Sequence, residues 1–307
     1  MSELTIGCRL AAVLNSMVPM RFREMRRQLM KWPKLRKWLK GMRGQELCDS
    51  EREVVEFLRK SPFNYSMIPY PFALKYRSSG VTVCFDKAKG LHYVVTQGKK
   101  LYYPASWQPY SIKAMHKHLL SEQDVDSPHR YERGGCEVRD GDVVVDAGAA
   151  EGFFALSVIE RARRVVLVES SPEWLPALRA TFEPFSDKAV YLQKLIADVT
   201  DDDHITLDEI LRMEGRIDFV KADIEGGERS MLEGATGTLA QPKLRLSVAV
   251  YHREDDASVI GDYLTQQGYN VSYSPRRVLI EDFEDRQFSL RQGICCAGKR
   301  KPVGLET

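Results

Sequence analysis

From residue 137 onward, short aliphatic and β-branched runs alternate with segments whose apolar residues recur at three- and four-residue spacing. The runs Val143–Asp146, Arg164–Glu169, Ala189–Gln193, Ile217–Ala222 and Leu244–Tyr251 predict strands buried on both faces. The segments Gly152–Arg161, Pro172–Phe182, Leu207–Met213, Gly227–Leu239 and Ala257–Gln267 predict helices. Strands and helices in strict alternation predict a parallel α/β sheet with helices on both faces. Two later runs, Asn270–Ser274 and Arg277–Glu281, predict a hairpin.

Upstream the period differs. Ser50-Glu51-Arg52-Glu53 reads as a capping box opening a helix with Val54, Val55 and Leu58 on one face. Val81–Phe85, Leu91–Val95 and Leu101–Tyr103 predict a β-meander, which a parallel sheet cannot absorb. Ser111–Leu120 predicts a helix, and a polar segment, Glu122 to Tyr131, leads into the α/β part. Between Arg21 and Arg43 lie ten Lys or Arg and one acid, Glu24, interleaved with apolar residues and broken by Pro33. This divides the chain into a basic arm (1–48), an accessory helix and meander region (49–136) and a Rossmann-like domain (137–307).

Composition narrows the class. The 307 residues are 43% hydrophobic and 29% charged, an ordinary globular balance able to bury a sizeable core. A net charge of +2 gives no case for specific nucleic-acid binding, so the arm's charge is read as a surface for peripheral contact with an anionic partner, or as a solvated helical face. The six cysteines show no zinc spacing, and a chain this long needs no disulfides, so a reduced, cytoplasmic setting is expected. No run of eighteen apolar residues occurs, and the early positive charges follow the first apolar stretch, so neither a membrane span nor a signal peptide is expected. Nothing in the sequence sets an oligomeric state.

The candidate chemistry starts at Asp146-Ala147-Gly148-Ala149-Ala150-Glu151-Gly152, a turn between the first strand and its helix. Such a junction takes nucleotide-like ligands. Glu169 ends the next strand about twenty residues on, the offset at which an acid reaches ribose hydroxyls. A dinucleotide loop uses three glycines around a pyrophosphate. Here there are two, and Asp146 would repel a phosphate while favouring an ammonium. The expected ligand is therefore S-adenosylmethionine, held by Asp146, Gly148, Ala149, Gly152, Glu169 and Ser170, with Asp198 at the adenine. A nicotinamide-dependent oxidoreductase and a non-catalytic S-adenosylmethionine-binding module are the competing readings.

Leu207-Asp208, then Lys221-Ala222-Asp223-Ile224-Glu225-Gly226-Gly227-Glu228, then Leu232-Glu233-Gly234 form the most specific pattern. With the Asp146–Gly152 loop, Glu169, Pro172 and Tyr251-His252, it resembles the FkbM family of S-adenosylmethionine-dependent methyltransferases across roughly Asp142 to Tyr269. Ala150 stands where that family often has asparagine. The resemblance implies a class I methyltransferase fold and O-methylation of a sugar, glycan or natural-product hydroxyl. Alternation along an extended segment would put Lys221, Asp223 and Glu225 on one side. Asp223, Glu225 and His252 are the catalytic candidates, with Asp223 first as base or orienting group. His129, Arg130 and Lys221 are the acceptor-binding candidates, and no metal is assigned.

Overall fold

Four apolar residues and one carboxylate make the five-residue β4 (Val143–Ala147), and every one is buried. Both faces of this strand are covered, as its unbroken run requires. In the computed structural model, which describes residues 32–64, 66–281 and 287–299, β4 lies inside a seven-stranded sheet. Its parallel neighbours are β5 (Arg164–Val168) and β9 (Phe219–Ala222). β6 (Ala189–Leu192) extends the sheet beyond β5, and β10 (Arg245–Ala249) extends it beyond β9, both in parallel. β14 (Ile294–Lys299) then runs antiparallel to β10, and β11 (Tyr269–Tyr273) pairs outside it. The order is β11-β14-β10-β9-β4-β5-β6, and the short β7 (Leu195–Ile196) and β8 (His204–Ile205) pair with each other outside it. The chain leaves β4 toward β5 and β6 and returns on its other side at β9. That reversal makes a crevice at the carboxyl ends of the strands, where ligands bind in open α/β sheets.

Alternation divides the core in two. Val144, Val165, Leu167 and Phe219 face one side with α4 (Phe153–Val158). Val145, Val166, Val220 and Val248 face the other, against α6 (Leu207–Glu214), α7 (Glu228–Glu233) and α9 (Asp256–Gln266). The result is a mixed α/β fold, a mostly parallel sheet with helices on both faces.

Three local expectations are corrected. The proposed hairpin of Asn270–Ser274 with Arg277–Glu281 does not form. β11 joins the main sheet beside β14, while β12 (Arg277–Glu281) pairs with β13 (Phe288–Gln292). Sequence adjacency suggested the hairpin, but Val271 and Tyr273 find an apolar surface on α9's side of the sheet. The single helix Gly227–Leu239 is two, α7 and α8 (Thr236–Leu239). At Gly234 between them a Cβ would stand 2.5 Å from the Ala197 carbonyl oxygen, so the chain needs glycine to pass. Asp208 restarts the helix by accepting from the Gly237 and Thr238 amides at 2.8 and 2.7 Å. The helix of the capping box, α2 (Asp49–Lys60), begins earlier than the box placed it: Glu51 accepts from the Cys48 amide at 3.0 Å, so Cys48 rather than Ser50 is the cap.

The upstream meander appears as β1 (Cys84–Asp86), β2 (Leu91–Thr96) and β3 (Lys99–Tyr103), an antiparallel sheet apart from the main one. It rests on α5 (Leu175–Thr181) through Leu91, Tyr102, Ala177 and Ala180. α3 (Pro109–Glu122) follows. Residues 32–41 are helical (α1), with Leu35 and Leu39 buried and Lys34, Arg36, Lys37 and Lys40 exposed. The rest of the basic arm, residues 1–31, lies outside the described residues. α1 and α2 share a core with Leu279 of β12 and Phe288 of β13. No helix among the described residues is long and apolar enough to cross a membrane.

Candidate active site

A cavity of about 890 Å³ opens at the carboxyl ends of β4, β9 and β10. Its floor is a buried ion pair. Asp146 and Lys221 are register partners on adjacent strands, and their charges stand 3.0 Å apart with both side chains almost fully enclosed. The Lys221 ammonium also donates to the Gly148 carbonyl at 2.7 Å. Burial pushes the Asp146 carboxyl up against the opposing pull of Lys221, so its charge is tied to that partner. Asp146 is thus committed inside the protein, and Lys221, expected to bind acceptor, is the ion that holds it.

Above this pair runs the Gly148–Gly152 turn. Gly148 adopts φ +74°, and a Cβ there would stand 2.1 Å from the Asp223 carbonyl oxygen. The glycine is therefore required by the approach of β4's turn to β9's end. At Gly152 a Cβ would meet Phe182 at 2.7 Å and Leu178 at 2.8 Å, which makes it a packing glycine between α4 and α5. Glu169 holds the turn from the side: its two oxygens accept from the Ala150 amide at 2.9 Å and the Ser171 amide at 2.8 Å. Each oxygen keeps a further lone pair for a ligand.

Asp223 follows β9 and is the most heavily solvated charge in the cavity, with protein groups as its solvent. Tyr131 donates to it at 2.6 Å and Tyr251 at 2.9 Å. His129 Nε2 stands 3.3 Å away and His252 Nε2 3.4 Å away. Burial alone would raise its pKa, but these neighbours and Lys221 hold the carboxyl well below the usual range. Burial likewise acts to lower the two imidazoles, and the facing carboxylates outweigh it and raise both.

His252 is held from two sides. Its Nδ1 lies 3.0 Å from Glu228 Oε1, while its Nε2 faces Asp223 and, at 3.7 Å, Glu225. Glu228 is buried and also accepts from the Ile224 amide at 2.9 Å. The expected alternation ends at Ala222, where the strand stops. Glu225 takes φ +55°, uncommon outside glycine, and turns its carboxylate into solvent at the rim. Asp223, Glu228 and His252 each offer a donor atom within 4.8 Å of the others, a spacing that a metal ion could share.

The structure gathers Asp146, Gly148, Ala149, Lys221, Asp223, Glu225, His252 and His129 on the cavity wall. Gly152, Glu169, Ser170, Asp198 and Arg130 are not on it. Asp198 accepts from the Ser230 hydroxyl at 2.8 Å and sits on the surface. Arg130 donates to the Glu132 carbonyl at 2.8 Å. Sequence reasoning missed Tyr131, Tyr251, Glu122 and Glu151 on the wall and the reach of Glu228 to His252. Glu228 carried a signal: it lies on the same motif as Asp223, where a charge at a helix start invites a dipole reading instead.

No curated protein matches this chain. Among solved structures, methyltransferase FkbM from Methylobacillus flagellatus KT is 20% identical, with 62% of this chain covered, 53% of that chain covered and a TM-score of 0.42. The matched part thus spans about half of that protein's length. A precorrin-6y C5,15-methyltransferase from Geobacter metallireducens GS-15 is 17% identical, covering 54% and 84% with a TM-score of 0.39. A Streptococcus pneumoniae candidate tRNA (m1A22) methyltransferase, solved in complex with S-adenosyl-L-methionine, is 17% identical, covering 55% and 72% with a TM-score of 0.34. The strand order described above stands on its own pairings, apart from these likenesses. The family match begins at α5 and takes in the Lys221–Glu228 block and Tyr251-His252, leaving the Asp146–Gly152 turn and Glu169 outside it. Over residues 179–271 the chain matches the family model described as the methyltransferase FkbM domain, the family its sequence resembles.

Proposed function

We propose that this chain is an S-adenosylmethionine-dependent methyltransferase acting on a hydroxyl of a sugar, glycan or natural product. The observation that supports it best is the charge of the cavity. Seven acidic side chains, Glu122, Asp146, Glu151, Asp223, Glu225, Glu254 and Glu281, line it against three permanent cations, Lys221, Arg253 and Arg291, and two histidines. A wall with that balance suits a cationic ligand and opposes a pyrophosphate, which argues against a nicotinamide cofactor. The cavity lies at the crevice where the sheet order reverses, beside the glycine turn, and Glu169 stands at the end of β5 with a lone pair free on each oxygen.

When bound, S-adenosylmethionine supplies an electrophilic methyl group on a good leaving group. The chain's residues then have two tasks, to place the acceptor oxygen and to take its proton. Asp223 is held too far below the usual carboxylate range to be an effective base; it is suited to orienting the acceptor hydroxyl and to balancing positive charge. His252 suits the base. Its Nε2 faces the cavity, its Nδ1 lies 3.0 Å from Glu228 Oε1, and in its neutral form Nε2 can accept the hydroxyl proton. Met67, Met115, Leu119, Phe153, Leu279 and Ile280 give the same cavity an apolar wall that would exclude water and receive the body of the acceptor.

Calorimetry of the full chain with S-adenosylhomocysteine and NAD tests the cofactor. Micromolar binding of the first and none of the second is expected; the reverse would overturn the reading. A gain of one methyl group in a glycan or metabolite pool, dependent on the active protein, tests the acceptor class. The exposed Lys34, Arg36, Lys37 and Lys40 favour a peripheral contact with an anionic surface. Vesicle binding that does not fall with added salt would remove that contact.

A further inference from the structure

The Gly148–Gly152 turn brings a carboxyl of its own, Glu151, into the cavity. Glu151 is 8% exposed and lines the wall. Glu122, the last residue of α3, lines the same wall, close enough for the two carboxyls to repel each other. Among the described residues no cation stands within ion-pair distance of either, and apart from Glu151's own amide neither carboxyl has a hydrogen-bond partner. Asp146, the obvious acid for an ammonium, is already paired with Lys221 at 3.0 Å.

Resting on the cofactor reading above, we infer that Glu151, seconded by Glu122, forms the subsite for the α-ammonium of S-adenosylmethionine. An ammonium placed between them would give a buried carboxyl its missing partner and offset the repulsion between the pair. The location fits, because Glu151 belongs to the turn between β4 and α4 rather than to the acceptor side of the cavity.

The subsite is also pH-sensitive in a defined direction. Burial, the nearby Glu122 and Asp146 push the Glu151 carboxyl up to about 8, with Lys221 opposing. The Tyr103 phenol is the other titratable group that feels its charge. Glu151 is therefore largely protonated at neutral pH. An ammonium favours its ionised form, so binding releases a proton, and affinity climbs as pH rises toward 8 and then levels.

Calorimetry with S-adenosylhomocysteine, and with the same compound lacking its α-amino group, tests this on the full chain. The wild type is expected to prefer the amino compound by about tenfold or more, the scale of a charge-assisted hydrogen bond. Its affinity should rise between about pH 6.5 and about pH 8.5, with a binding heat that depends on the buffer's ionisation enthalpy. Glu151→Gln should bring the two ligands within about threefold and abolish proton release, and Glu122→Gln should move in the same direction. Equal binding of both ligands to the wild type, or a Glu151→Gln protein with undiminished preference and proton release, overturns the subsite alone. Failure of the wild type to bind either ligand overturns the cofactor reading with it. The wild-type comparison decides the matter even if a variant does not fold.

Discussion

At the scale of single residues, the site turns on how Asp223 and His252 divide their work. Two tyrosine hydroxyls and two imidazoles converge on Asp223, and all of them stabilise its charged form. Asp223→Asn keeps the shape and removes the charge, so we predict that it retains S-adenosylhomocysteine within a few-fold while turnover falls by about 10²-fold or more. Isothermal binding and steady-state rates, measured side by side, check it; unchanged turnover would take Asp223 out of the chemistry. Glu228 acts through His252 rather than on a substrate. Burial lowers the imidazole's pKa, and the Glu228 carboxylate, with Asp223 and Glu225 beyond it, more than restores it. As the proposed base, His252 works only when neutral, so activity should rise with pH as it loses its proton. Glu228→Gln removes the restoring charge, which lowers that pKa. We predict that the acid limb of the pH–rate profile moves to lower pH while kcat drops by about tenfold from lost orientation. A limb that stays in place would leave Glu228 a purely structural acid.

At the scale of elements, the glycine turn is rigid for reasons of packing. Gly148 is pressed against the backbone of the residue that carries the site's main charge, at a φ that disfavours side chains. Gly148→Ala must displace either the turn or Asp223, and we predict a loss of about 2–4 kcal/mol in urea unfolding together with lost ligand binding. Wild-type stability would mean that the two elements can separate at little cost. The elements themselves were largely legible: the strands from Val143 to Ala249 follow from unbroken apolar runs, since burial on both faces leaves a one-dimensional trace. What was illegible depends on contacts between distant segments. Nothing near Asp146 in sequence announces that Lys221, its register partner, neutralises it. Nothing near Gly234 announces that Ala197 passes against it. The Leu207-Asp208 motif carried a family signature, but its carboxylate caps α8 and does no chemistry. Tyr131 was quoted within its segment, yet its role depends on a hydroxyl reaching Asp223 across 92 positions.

At the scale of the molecule, the cavity is closed by parts of the chain that belong to no βα repeat. β12 and β13 are inserted between the last two strands of the main sheet and carry Leu279 and Ile280 to the cavity on one side. Leu279 also enters, with Phe288, the core formed with Leu35, Leu39, Val54 and Leu58. Tyr70 fastens the two regions by donating to the Arg277 carbonyl at 2.7 Å and accepting from its amide at 2.9 Å, and Arg276 pairs with Glu53 at 3.0 Å. The half-exposed ion pair is worth about 1 kcal/mol or less, so the apolar core is the stronger tie. Leu35 is fully buried, and Leu35→Ala should cost about 2–5 kcal/mol within this unit. Because the cofactor turn is built on β4 and β5, which contribute no residue to this core, the damage should divide unequally. We predict that Leu35→Ala raises KM for the acceptor several-fold and speeds hydrogen exchange in β12 and β13, while S-adenosylhomocysteine affinity stays within about twofold of wild type. Equal loss at both ends of the cavity would show that the helices support the whole crevice. Loss at the acceptor end alone would make them, with the inserted strands, the part of the fold that selects what is methylated.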